Sequence, residues 1–332
     1  MTGARHILIV GAGSAGQRHA RNLGALGCRI SAFDPRADRL EEIGRQLALI
    51  GRYTALEEAL ASGEFDGYVI ASPPAFHVPQ VLQVLDRRSG WVLCEKPLSL
   101  SAPESSKLRR HAERILLGYT YRWWPPIRRL RQRMLSGEVG AIRNVRFVMS
   151  AHLQDWHPWE KYQEFFMSRR EMGGGALLDE SHFIDLMLWF LGAPASLYAQ
   201  VDKISDLEID SDDNVDILAA YPNGTRVNLH LDLIGRPHDR SITIVGEQGT
   251  LVYSYEENAV KVGHEGARKW EVESFDCERN EMFVGAAREL LALMSGEVKQ
   301  VSCSVQDGIR TLELVDACRE SALTGKSVAI AP

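Results

Sequence analysis

The stretch His6-Ile7-Leu8-Ile9-Val10-Gly11-Ala12-Gly13-Ser14-Ala15-Gly16 decides the fold. Its leading run, Ile7 to Val10 after His6, is apolar without alternating polar residues, the pattern of a strand buried on both faces of a parallel sheet. A GxGxxG run follows at once, and a helical pattern continues through Leu26. Strand before and helix after is the context in which such a run holds a dinucleotide. Gly11 permits the tight turn, Gly13 lets a pyrophosphate approach the backbone, and Gly16 lets helix and strand pack closely. With Ser14 and Ala15 the run opens a helix whose free N–H groups and positive dipole end face the phosphates. A glycine-rich turn without a ligand is the plainer alternative, and the flanking strand and helix weigh against it.

Outward from this turn, a second strand, Arg29 to Phe33, ends at Asp34. An acid about twenty residues beyond the glycines accepts hydrogen bonds from the adenosine ribose and repels a 2′-phosphate. NAD is the expected cofactor, with NADP possible because Arg36 and Arg39 lie close by. Helical patterns over Arg39 to Leu47, Leu56 to Ser62 and Val78 to Leu85 then alternate with apolar strands. Tyr68 to Ala71 is one such strand and ends in Ser72-Pro73-Pro74. Trp91 to Cys94 is another and ends in Glu95-Lys96-Pro97. Ile115 to Gly118 closes the series. This βαβ alternation predicts a doubly wound parallel sheet, with ligands outside the carboxyl ends of its strands. Ser72, Pro73, Glu95 and Lys96 fall at such ends. His77, at the start of a helix, either touches the cofactor or sits at the surface.

The later half reads differently. A helix over Pro126 to Leu135 precedes a strand over Ile142 to Ser150. Strand patterns at 196–203, 214–221, 225–234, 240–246 and 249–254 are separated by turns such as Pro222-Asn223-Gly224 and Gly235-Arg236-Pro237. Val227 to Leu233 alternates at period two, so one sheet face is polar. Helices over Glu281 to Met294 and Val305 to Leu323 return to the body.

Composition limits the function. The 332 residues suit two domains, and 45% hydrophobic with 25% charged residues is ordinary for a globular chain. A net charge of -6 argues against a nucleic-acid partner. The arginines at 128, 129, 131 and 133 are expected on a solvated helix face. Five cysteines without CxxC spacing, no run of membrane-spanning length and no signal-peptide layout predict a cytoplasmic protein without a membrane partner. The ten histidines show no HxxxH or HExxH spacing, so no metal is expected.

Several motifs together resemble the Gfo/Idh/MocA oxidoreductases, the relatives of glucose-fructose oxidoreductase and inositol dehydrogenase. They are the early GxGxxG, Ala71-Ser72-Pro73-Pro74 with His77, Glu95-Lys96-Pro97, Gly118-Tyr119-Thr120-Tyr121-Arg122, and Gly173-Gly174-Gly175 followed by Asp179 and His182. The resemblance spans nearly the whole chain. It is nearest to members acting on sugars in surface-polysaccharide or nucleotide-sugar pathways, which carry a loop like Trp156-His157-Pro158-Trp159-Glu160-Lys161-Tyr162. The family's commoner interval between aspartate and histidine is four; here it is three, which touches the role of Asp179 more than that of His182. The resemblance and the strand pattern imply an α/β protein. Residues 1–120 would form an N-terminal Rossmann doubly wound parallel sheet. Residues 121–332 would form an α+β domain with a large open, mostly antiparallel sheet, through which the chain would form a homodimer or homotetramer.

The implied reaction removes hydride from a secondary hydroxyl of a small sugar-like substrate, a sugar, nucleotide-sugar or cyclitol, or runs in reverse. Lys96 would donate to the reacting oxygen or pass a proton, with a pKa lowered by partial burial. His182 suits a general base near neutrality. Asp179, three residues earlier on the same expected helix, would orient it or serve as the helix cap. Glu95 would bond the nicotinamide ribose or pair with Lys96. Arg122 is a candidate for a substrate carboxylate or phosphate. Trp156, Trp159 and Tyr162 either stack on a sugar ring or pack in the core. Two rivals remain, an NAD-assisted glycoside hydrolase that retains its cofactor and a non-catalytic dinucleotide-binding regulator.

Overall fold

The structure is a computed structural model and describes residues 4–156 and 161–331. By contacts the chain divides into two units. One holds residues up to Trp123 with Arg279–Arg310; the other holds Trp124–Glu278 with the segment from Thr311 onward. The segment 279–310, which the sequence division assigns to the second domain, thus packs with the first. The reason lies in the helix Asn280–Ser295. Its apolar stripe, Met282, Phe283, Ala286, Ala287 and Leu290, is buried within the first unit.

In the first unit six parallel strands carry the site. They are β1 (His6–Val10), β2 (Arg29–Phe33), β3 (Leu49–Tyr53), β4 (Gly67–Ile70), β5 (Trp91–Glu95) and β6 (Ile115–Gly118). Their order is β3-β2-β1-β4-β5-β6, so the chain reverses its direction of winding between β1 and β4. Ile7, Leu8, Ile9, Val92, Leu93, Cys94, Leu116 and Leu117 have no exposed surface, as helices on both faces of a parallel sheet require. The helix α1 (Ser14–Ala25) buries Gly16, His19, Ala20 and Leu23, one stripe at helical spacing. Next come α2 (Ala37–Gln46), α3 (Leu56–Ala61) and α4 (His77–Leu85). All three match the expected helices to within two residues at each end.

The second unit is built on nine strands, ordered β14-β13-β12-β11-β7-β10-β9-β8-β15. They are β7 (Ile142–Ser150), β8 (Ser196–Asp202), β9 (Asn214–Ala220), β10 (Arg226–Asp232), β11 (Asp239–Gly246), β12 (Gly249–Ser254), β13 (Ala259–His264), β14 (Glu271–Ser274) and β15 (Val328–Ala329). Among the described residues of this sheet, only β7 and β10 pair in parallel. Alternation sets the two faces. Val227, Leu229 and Leu231 of β10 are buried, while Asn228 and His230 are part-exposed and Leu218 of β9 is 54% exposed. The helices Pro125–Leu135, Ala176–Asp179 and His182–Leu191 pack against this sheet. Among the described residues no helix is long and apolar enough to cross a membrane.

Candidate active site

The glycine turn follows β1 without a break. The Gly11 N–H donates to the Phe33 carbonyl at 2.8 Å, which ties the turn to the end of β2. At Gly16 a Cβ would lie 1.8 Å from the Gly11 carbonyl oxygen, so only glycine lets α1 approach so closely. The N-cap Gly13 brings no side-chain cap and the first turn of α1 has no acid. Its N–H groups are therefore matched to an external anion, as a dinucleotide pyrophosphate would supply. Gly13 and Ala15 are half-buried and Ser14 is exposed, so this surface is open to a ligand.

Asp34 is nearly buried at the end of β2. Its Oδ2 accepts the Ala12 N–H at 2.8 Å and its Oδ1 the Arg36 N–H at 2.9 Å. The carboxylate is thereby fixed against the glycine turn, and each oxygen retains a lone pair for a ribose hydroxyl. Of the two arginines, Arg36 pairs with Asp38 at 2.6 Å. The Arg39 guanidinium instead reaches the turn, with Nη1 2.6 Å from where a Cβ on Gly13 would stand.

Ser72, Pro73, Glu95 and Lys96 stand at the carboxyl ends of β4 and β5, the placement expected for them. Lys96 is half-buried and its peptide to Pro97 is cis. Its backbone N–H donates to Glu95 Oε2 at 3.2 Å, and Glu95 Oε1 lies 2.6 Å from His19 Nε2. Burial pushes the Glu95 pKa up, but His19 and Lys96 outweigh it and hold the carboxyl below its ordinary value. His19 went unread in the sequence; its signal is its position on the α1 stripe with Gly16, Ala20 and Leu23.

His77 is not a surface residue. It has no exposed area, with Nδ1 2.8 Å from the Pro97 carbonyl and Nε2 2.7 Å from the Ser72 carbonyl. A neutral imidazole donates to one of these and a doubly protonated ring to both. Burial lowers its pKa, opposed by the two carbonyls and by the Glu95 carboxylate, while the Lys96 ammonium acts with burial.

Asp179 and His182 lie in the second unit, Lys96 in the first. The single helix expected for the pair is in fact two. One piece ends at Asp179 and the next begins at His182. Between them the chain tightens, with Ser181 N–H bonded to Leu178 O and Phe183 N–H to Glu180 O, both i to i+3. Such tightening brings positions three apart into line, which suits the interval of three. Asp179 is buried and His182 half-buried. Upstream, Gly175 has φ +106°, and a Cβ there would lie 2.5 Å from Asp212 Oδ1. Asp212 Oδ2 accepts the Leu177 N–H at 2.8 Å, and burial pushes its pKa up. Asp212 thus caps the segment carrying Asp179, the role considered for Asp179 itself. It was missed because it lies 35 residues further along the chain.

Arg122, the candidate for a substrate anion, has partners within its own unit. It is buried in the first unit, donates to the Ser302 carbonyl at 2.9 Å and stands 3.4 Å from Asp307. Its guanidinium thus already faces an internal acid and a backbone carbonyl. Trp156 is half-buried and its indole N–H donates to the Ala151 carbonyl at 3.2 Å. Tyr162 is also half-buried, and its hydroxyl accepts the Glu208 N–H at 3.2 Å. Trp159 lies outside the described residues.

Comparison with known proteins agrees with this fold. The family described as oxidoreductase family, NAD-binding Rossmann fold, matches residues 5–116, and the GFO/IDH/MocA C-terminal domain matches residues 127–252. The rhizopine catabolism protein MocA of Rhizobium meliloti is 33% identical over 192 residues, 55% of this chain and 56% of that protein. This match therefore spans little more than half of that relative's own length. The glucose-6-phosphate 3-dehydrogenase of Bacillus subtilis is 25% identical over 75% of this chain and 74% of its own. Among solved structures, levoglucosan dehydrogenase in complex with NADH superposes with a TM-score of 0.88 at 17% identity, covering 99% of both chains, a likeness of fold.

Proposed function

The chain belongs to the GFO/IDH/MocA oxidoreductase family, and from that premise we propose that it is an NAD(P)-dependent dehydrogenase of a secondary hydroxyl on a sugar, nucleotide-sugar or cyclitol. One observation carries the reading. An uncapped helix N-terminus behind the glycine turn, the fixed Asp34 carboxylate and Lys96 all stand at carboxyl ends of strands in one parallel sheet. The bound dinucleotide would supply the hydride acceptor at its nicotinamide ring. The turn Gly11 to Gly16 holds the pyrophosphate, Asp34 the adenosine ribose, and Ser72, Pro73 and Glu95 border the nicotinamide half. Lys96 donates to the reacting oxygen and steadies its developing charge. His182 takes the hydroxyl proton, and Asp179 orients the imidazole or the substrate. Trp156, Trp159 and Tyr162 are the candidates for stacking on the apolar face of a sugar ring.

Asp34 favours NAD over NADP. Five free thiols support a reducing compartment such as the cytoplasm. The part-exposed face of the nine-stranded sheet, with Leu218 on it, supports a homodimer or homotetramer. Light scattering that returned a monomer mass at micromolar concentration would remove that assembly. The activity is tested with purified protein, NAD or NADP, and a panel of cyclitols, aldoses, sugar phosphates and nucleotide-sugars. Reduced nicotinamide should accumulate with at least one polyol. Glycoside cleavage without net reduced nicotinamide, or no turnover of any member, would overturn the reading.

A further inference from the structure

The first turn of α4 grips the ends of two neighbouring strands. His77 meets the Ser72 carbonyl, just past β4, and the Pro97 carbonyl, just past Lys96 at the end of β5. One helical turn on, Gln80 Oε1 accepts the Ser72 hydroxyl at 2.6 Å. The strands β4 and β5 are adjacent and parallel, so these carbonyls belong to the two turns that border the same stretch of sheet edge. A wholly buried imidazole persists where its polar atoms have partners, and here the partners are backbone carbonyls, of which the neutral ring satisfies one and the protonated ring both. Neither ring nitrogen is left to bond a cofactor, although the residue sits among those that would.

We propose that His77 is a positioning residue for Lys96. Seated between the turn after β5 and the turn after β4, and donating to one of their carbonyls when neutral and to both when protonated, it fixes the backbone from which the Lys96 ammonium is presented. This rests on the assignment of Lys96 to the reacting oxygen. A displacement of about 1 Å in such a group costs up to about 100-fold in rate. The cofactor phosphates are held elsewhere, at the glycine turn, so dinucleotide affinity should not follow.

The test compares the wild type with His77→Phe, which keeps a ring without donors, and His77→Gln, which restores one. Trace acetic anhydride labels the lysines of the NAD-bound protein across a pH series, and mass spectrometry reads each rate; no substrate is needed. In His77→Phe, the Lys96 labelling profile should shift several-fold while other lysines keep theirs and NAD affinity stays within about 3-fold. On any polyol the enzyme turns over, kcat should fall about 10- to 100-fold with KM little changed. His77→Gln should recover part of both. Unchanged Lys96 labelling in folded His77→Phe would overturn the proposal, and so would a tenfold loss of NAD affinity with Lys96 unaltered. If the variants do not fold, histidine-selective 15N labelling of the wild type decides. A solvent-protected ring N–H on His77 supports the clasp, and rapid exchange of that proton rejects it. Absence of turnover with a shifted Lys96 profile would count against the dehydrogenase reading alone.

Discussion

His19 Nε2 lies 2.6 Å from Glu95 Oε1, and the histidine has no exposed surface. The pair joins α1, which opens the dinucleotide turn, to the end of β5, which carries Lys96. His19→Leu would leave the Glu95 carboxylate buried without this partner. Removing one partner from a buried hydrogen bond leaves the other unsatisfied and costs about 1–3 kcal/mol, more for a charged group, whereas apolar replacement of both is often nearly neutral. Thermal unfolding should therefore show a large fall for His19→Leu and a substantial recovery in His19→Leu/Glu95→Met. The Glu95 pKa is depressed, so its contribution is present above the ordinary carboxylate value and lost as pH falls through the folded value. The stability difference between wild type and His19→Leu should narrow on the acid side. Equal unfolding temperatures at neutral pH would show that the contact contributes nothing.

Lys96→Ala should lose about 100-fold or more in kcat with nearly native NAD affinity, since pyrophosphate affinity resides in the Gly11 to Gly16 turn. His182→Asn should remove the near-neutral limb of the pH–rate profile, and Asp179→Asn should lower the rate less. Persistence of that limb in His182→Asn would transfer the proton to Lys96 or Asp179.

Asp34→Ser removes the acceptor of the Ala12 and Arg36 N–H groups and the negative charge beside the ribose. NAD should bind about tenfold more weakly, and NADP should gain relative to NAD, because Arg39 then stands at the turn without an opposing carboxylate. Fluorescence titration with both dinucleotides checks this. A wild type that prefers NADP would show that Arg39 governs the choice.

The parallel sheet was legible because Ile7 to Val10, Trp91 to Cys94 and Ile115 to Gly118 are uninterrupted apolar runs with helical patterns between them. The turn residues were legible because their chemistry is local. What escaped were partners distant in sequence. Glu95 is set by His19, 76 residues earlier, and the Gly175 turn by Asp212. Arg122 shows the converse. Its motif suggested an anion, but Asp307 already supplies one. The break between Asp179 and His182 escaped because Glu180 and Ser181 lack the glycine or proline that announces one.

The last prediction concerns the open sheet face. His230 Nδ1 lies 2.8 Å from Asp216, its cross-strand neighbour, and Nε2 lies 3.0 Å from Asp232, two residues on along the same strand. Both ring nitrogens face carboxylates, an arrangement that the imidazolium satisfies and the neutral ring does not. The bond to Asp232 raises the His230 pKa from 6.5 to about 9, against the opposing effect of burial and with further help from Asp216. Burial pushes Asp232 up, but His230, Ser150 and the N–H groups of Ile234 and Gly235 hold it down at about 2. The stabilisation from a raised histidine is fully present below the unfolded value of 6.5 and lost as pH rises through about 9. That from the depressed Asp232 is present above 3.8 and lost as pH falls through about 2. His230→Asn should thus lower the unfolding temperature most between these limits and hardly at all at strongly alkaline pH. The histidine side chain is 35% exposed, so solvent screens the pair and the fall should be only about 1–3 °C, smaller in high salt. Scanning wild type and variant across pH reads the difference directly, and an NMR titration of His230 reads its cause. A midpoint near the ordinary histidine value would mean that the two carboxylates do not hold the proton.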